Sequence, residues 1–115
     1  MLIEKIKKHL LIIWTAFVLI LTLMPTPEYN GDKEMYYDKV AHVFLFGIFA
    51  YLFYRSFELK TWKRIIFSII AGIGFSLLIE FLQLFVPGRD ASEMDLVAGV
   101  VGVLGFVFVA YKQKK

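Results

Sequence analysis

Four apolar segments dominate this chain: Leu10 to Met24, Val40 to Phe57, Ile65 to Val86 and Leu96 to Tyr111. Crossing about 30 Å of hydrocarbon takes roughly 20 helical residues. Lipid accepts only helices or closed barrels, because every backbone polar group must be paired internally. The second and third segments are long enough as they stand. Leu2, Ile3 and Ile6 extend the first amphipathically, and the fourth is short. Leu, Ile and Phe prevail and period-2 alternation is absent, which argues against a barrel. A hydrophobic fraction of 59% in 115 residues is too high for a water-soluble domain of this size. The expectation is an all-α membrane protein. A single domain over residues 1–115 would carry four transmembrane helices at about 8–24, 39–57, 64–86 and 95–111.

Breakers mark the connections. Pro25, Pro27, Asn30 and Gly31 form the first loop, a short charged stretch from Glu58 to Arg64 the second, and Pro87-Gly88 opens the third. The basic N-terminus followed by an apolar run resembles a signal peptide. The run ends in Met24-Pro25-Thr26-Pro27 without a small-residue cleavage site, so a retained first helix is expected. Trp14, Tyr36, Tyr37, Tyr54, Trp62 and Tyr111 lie towards segment ends, as interfacial aromatic belts do.

Charge then sets the orientation. Ten of the 13 Lys and Arg residues fall on one side: Lys5, Lys7, Lys8, Arg55, Lys60, Lys63, Arg64, Lys112, Lys114 and Lys115. Only Lys33, Lys39 and Arg89 fall on the other, together with Glu28, Asp32, Glu34, Asp38, Asp90, Glu93 and Asp95. The positive-inside rule places both termini in the cytoplasm. The net charge of +3 is therefore read as topology and anionic-lipid contact rather than nucleic-acid binding.

The polar residues converge on the outer half. Asp38 and His42, four apart, share one helical face. Glu80 lies roughly 10 Å below the Pro87 end of the third helix, with Gln83 above it, Arg89 in the turn beyond, and Ser92 and Asp95 at the start of the fourth helix. A carboxyl group among Leu77, Leu78, Ile79, Phe81 and Leu82 is costly against lipid, so Glu80 should face the bundle interior or water. Ser68, Gly72, Ser76 and Glu80 recur every fourth residue, and Gly99, Gly102 and Gly105 every third. Those small-residue faces suggest that the third and fourth helices pack closely on each other. Plainer readings stand beside these. Glu80 can pair with Arg89 or His42 as structural glue, and Asp38 or Asp95 can be an N-cap.

With no cysteine, disulfides, thiolate metal sites and a Cys nucleophile are excluded. No Gly-rich phosphate loop is present, and Ser92 lacks a nucleophile-elbow context. Asp38, His42, Glu80 and Asp95 are acceptable metal ligands, but one histidine without a compact motif gives no expectation of a metal or other cofactor.

The run Asp38-Lys39-Val40-Ala41-His42 resembles the D-K-x-x-H start of the second helix in the VanZ-like family. Glu80, Gln83, Pro87 and Arg89, followed by Ser92, Asp95-Leu96 and Gly102, are similar to its E-x-x-Q-x-x-x-P-x-R…S-x-x-D pattern, and the likeness covers roughly residues 10–110. That family comprises small multi-span bacterial membrane proteins and is named for one associated with low-level teicoplanin resistance. The resemblance implies a site made of Asp38, His42, Glu80, Gln83, Arg89 and Asp95. One departure is Gly99, where members usually carry Asn.

Three roles follow as expectations. The first is a cell-envelope protein binding or acting on a lipid-linked cell-wall precursor or anionic lipid at the outer leaflet. There Lys39 and Arg89 hold phosphate and the 12 Phe suit an acyl or prenyl tail. Should it catalyse a reaction, Asp38–His42 would be the general base and Glu80 the general acid. Gln83, Ser92 and Asp95 would complete the ligand contacts. The second is a small proton-coupled transporter, and the third a non-catalytic membrane subunit. Enzyme status and oligomeric state stay open at this point.

Overall fold

The computed structural model describes residues 2–23, 33–86 and 93–113, the side chains of residues 4, 33–39 and 93 excepted. All four expected helices are present: α1 (Leu2–Leu23), α2 (Lys33–Ser56), α3 (Thr61–Gln83) and α4 (Glu93–Gln113). Helices of this length are about 31–36 Å long at 1.5 Å per residue. They lie along the 46 Å axis of a body only 23 by 21 Å across.

Several boundaries differ from the sequence expectation: α1 begins at Leu2 rather than near residue 8 and α3 at Thr61 rather than 64. α2 begins at Lys33, not near residue 39, because a helix does not stop where hydrocarbon begins. Asp38 is consequently an interior helical residue rather than an N-cap. Asp95 likewise lies within the first turn of α4 and not before it. At the other end α3 stops at Gln83, short of residue 86. Leu84, Phe85 and Val86 donate to the carbonyls of Phe81, Leu82 and Gln83 at 3.1–3.2 Å, a tightened i→i−3 run. Pro87 follows in sequence, and a residue preceding proline is pushed out of the α region.

Burial is inverted relative to a water-soluble bundle. Ile12, Ile13, Ile20, Ile70, Val101 and Phe108 are exposed, whereas Thr22, Ser56, Ser68, Ser76 and Gln83 are buried. Apolar side chains outward and small or hydroxyl side chains inward are what close packing in lipid favours, since association there gains little from burying leucine. α1, α3 and α4 each contain a span long and apolar enough to cross a membrane: Lys5–Leu23, Thr61–Gln83 and Met94–Gln113. Among the described residues α2 offers the shorter apolar stretch Val40–Ser56.

α2 is the central helix, packed against each of the other three, and its contact with α4 is the most extensive. The small-residue faces explain why: α3 and α4 pack on each other as expected, and α2 packs on α4 more extensively still. Gly102 meets the backbone of α2 at Val43, Gly99 lies between Ser76 of α3 and Phe46 of α2, and Gly105 has nothing within 4 Å. Steps of three residues turn about 300° each on a 3.6-residue helix, so three such glycines sweep across the helix instead of lining one seam. The four-residue stripe on α3 drifts less. Ser68 and Ser76 are almost wholly buried, and Gly72 between them faces Val103 of α4 and Ala50 of α2.

Phe46 fills the centre, fully buried, with Phe75 edge-on at 5.6 Å between ring centroids. Trp14 is also an internal strut rather than an interfacial anchor. Its indole N–H donates to the Leu45 carbonyl at 2.9 Å, using that oxygen's second lone pair to tie α1 to α2.

The two ends of the bundle are chemically unlike. At one, Ser56 donates to the Lys7 carbonyl at 3.3 Å, Arg55 to Gln113 at 3.5 Å, and the Arg64 guanidinium lies 5.6 Å from the Tyr54 ring centre. Basic residues of all four helices thus gather at this end. The opposite end holds His42, Glu80, Gln83 and Asp95.

Candidate functional site

His42 comes from α2, Glu80 from α3 and Asp95 from α4. Each is positioned by the same device, a side chain near the end of a helix whose next turn inward is packed. His42 leans on Phe46 one turn below, with ring centroids 5.5 Å apart. Ser76 lies one turn below Glu80 and Gly99 one turn below Asp95. These three lower residues form a layer of their own. A Cβ on Gly99 would come within 2.6 Å of the Ser76 Oγ and 3.2 Å of the Phe46 ring. The cluster therefore sits on a floor made of Phe46, Ser76 and Gly99.

Within the upper layer, one ligand-type atom from each of His42, Glu80 and Asp95 lies within 4.8 Å of the other two. The His42 Nε2 is 4.0 Å from the Asp95 Oδ2. That is an ion-pair separation if the ring is charged, and too long for a direct hydrogen bond. His42 is 6% exposed and Asp95 7%, while Glu80 is half-buried. The exposed part of Glu80 does not include its Oε1, which is buried like the other two groups.

The remaining expected residues divide. Gln83 is buried, and its Nε2 donates to the Thr22 carbonyl at 2.9 Å, which closes the end of α1 onto α3. Its Oε1 has no hydrogen-bond partner among the described residues. Asp38 and Lys39 lie on α2 in the turn preceding His42, but their side chains are outside the described set. Arg89 and Ser92 lie outside the described residues altogether. Sequence reading placed Ser76 only in a packing stripe and assigned nothing to Phe46 or Thr22. The signal for the first two was register: they stand four residues inward of Glu80 and His42. No comparable signal marks Thr22, whose role depends on where α1 ends against α3.

Gly99 has a measurable consequence here. Gly99→Ala is expected to destabilise the protein by about 1–2 kcal/mol, the usual range for one methyl forced into a packed site. Adding Ser76→Ala removes the atom it strikes and should recover most of that loss, measured by thermal unfolding in detergent. Equal stability of the single and double variants would mean that Phe46, not Ser76, sets the limit.

An apolar-surfaced helical bundle that closes an imidazole and two carboxyl groups together at one end is a membrane protein with a polar site at its rim. The VanZ/LLP1 family model matches residues 6–112, and the chain belongs to that family. No curated protein and no solved structure matches it.

Proposed function

We propose that this VanZ/LLP1-family membrane protein lies in the bacterial cytoplasmic membrane with both termini inside, and binds a lipid-linked or anionic component of the cell envelope at the outer leaflet. The observation that carries this reading is the polarity of the bundle. Basic residues of all four helices meet at one end, and the buried His42–Glu80–Asp95 cluster lies at the other. By the positive-inside rule the cluster end is then external.

An amphiphilic ligand suits both parts of the structure. Its headgroup meets the cluster, with Lys39 and Arg89 of the adjoining chain supplying charge for phosphate. Its tail runs along apolar helix surfaces such as that of Phe81 and Phe85, which are exposed on the same end of α3. Teicoplanin tolerance is then a consequence of altered envelope chemistry. Glu80, the half-buried acid, is the group placed to donate or accept a proton, with His42 beside it.

The test is lipid mass spectrometry on protein purified in mild detergent. Wild type is expected to carry an envelope lipid or precursor at least fivefold enriched over an unrelated four-span control, with Glu80→Gln and Arg89→Ala reducing it. In a sensitive host at matched expression, the same variants should lose any teicoplanin tolerance the wild type confers. No enrichment over the control defeats the proposal and favours transport, for which pH-driven flux in proteoliposomes is the readout.

A further inference from the structure

We infer that His42, Glu80 and Asp95 form a binding site for one divalent transition-metal ion of the zinc type. The inference concerns the cluster itself and holds whatever ligand occupies the outer leaflet above it. Three donors from three different helices present ligand atoms within 4.8 Å of one another. In tetrahedral coordination with bonds of about 2.1 Å, two ligands of one ion lie about 3.4 Å apart. The His42 Nε2 and Asp95 Oδ2, 4.0 Å apart, would have to approach by about 0.6 Å to share an ion.

A divalent cation would be the largest local charge among these three donors. Three protein ligands with a fourth position left over is the pattern of a zinc centre that keeps room for water or substrate. Imidazole among the donors disfavours magnesium and calcium, which take oxygen ligands.

A second observation lies in the adjoining layer. Thr22, Ser56 and Ser68 each donate their hydroxyl to the carbonyl four residues earlier, the ordinary resting place for a buried hydroxyl in a helix. Ser76 does not. It is 1% exposed, and its Oγ has no hydrogen-bond partner among the described residues. It borders the space left by the missing side chain of Gly99, one helical turn inward of Glu80 and Asp95. The layer next to the cluster thus holds an unpartnered polar group.

The experiment uses the full chain in detergent, carrying no histidine tag, stripped with chelator and dialysed against micromolar zinc. Metal analysis is expected to return about one zinc per chain, and cobalt substitution a visible absorption band. His42→Gln, Glu80→Gln and Asp95→Asn should each weaken binding at least tenfold, while His9→Gln, at the basic end of α1, leaves it unchanged. Zinc should also raise the unfolding temperature of wild type, reversed by chelator, because a ligand bound only to the folded state stabilises it. That measurement covers the case in which a variant fails to fold. Absence of stoichiometric zinc, a zinc content that follows His9 instead of the cluster, displacement by millimolar magnesium, or no thermal shift in wild type would each overturn the inference.

Discussion

Gly102→Val should leave little folded protein, and Gly102→Ala should lower the unfolding temperature clearly. A Cβ at this position would overlap the Val43 carbonyl oxygen of α2, with the carbonyl carbon at 2.8 Å and the Cα at 2.9 Å. These are backbone atoms, so no rotamer change relieves the clash and the two helices must separate. A methyl group that must displace packed neighbours costs about 1–3 kcal/mol, and an unyielding backbone places Gly102→Ala at the upper end. Valine adds two methyl groups to the same gap. The loss falls on the most extensive helix contact in the bundle, and Gly47 faces it across the crossing, where a Cβ would lie 2.9 Å from the Gly102 carbonyl oxygen. Gly105→Ala is the control. With nothing within 4 Å, it should be neutral or gain up to about 1 kcal/mol of helix propensity. Thermal unfolding followed by size-exclusion chromatography in detergent distinguishes them. A Gly102→Ala protein as stable as wild type would mean that α2 and α4 do not approach as described.

The second large effect concerns His42 and Asp95. Removing either alone takes one group out of a buried polar cluster and leaves the other to its remaining neighbours, and losing a buried polar contact costs about 1–3 kcal/mol. His42→Leu and Asp95→Leu are each expected to fall in that range. The double variant replaces both by apolar groups and should recover much of the stability, since exchanging both partners of a buried polar contact is often nearly neutral. Function separates what stability cannot. If the pair were only structural glue, the recovered double variant would retain whatever lipid enrichment and teicoplanin tolerance the wild type shows. On the proposal made here it retains neither. Strictly additive losses in the unfolding measurement would show that the 4.0 Å contact carries no coupling.

Part of this architecture was open to reading in the chain. Four apolar runs dictate four helices, because lipid leaves the backbone few other ways to pair its polar groups; among the described residues the run of α2 is shorter than the other three. Glu80 had to turn away from lipid, and the four-residue stripe beneath it, Ser68 to Ser76, is buried in the structure. His42 and Asp95 stood out as candidates because ionisable groups at the edge of apolar runs are rarely accidental.

Other features depend on distances between helices that no single helix encodes. Trp14 sits near the middle of α1, and only the arrival of the Leu45 carbonyl made it a strut. The bond from the Gln83 amide to the Thr22 carbonyl likewise depends on where α1 ends beside α3. The glycines of α4 were legible as close-packing positions, but which partner they approach follows from how α4 is rotated against α2 and α3. The same rotation puts Ser76 under the cluster. The sequence by itself determined the number of helices, their chemically opposite ends and the inward face of α3, since these follow from hydropathy, charge and the 3.6-residue repeat. Only the tertiary structure decided that α2 is the hub, and that His42, Glu80 and Asp95 share one layer above a floor of Phe46, Ser76 and Gly99. Helix rotation and axial register come from packing against neighbours, and packing is a property of the assembled bundle.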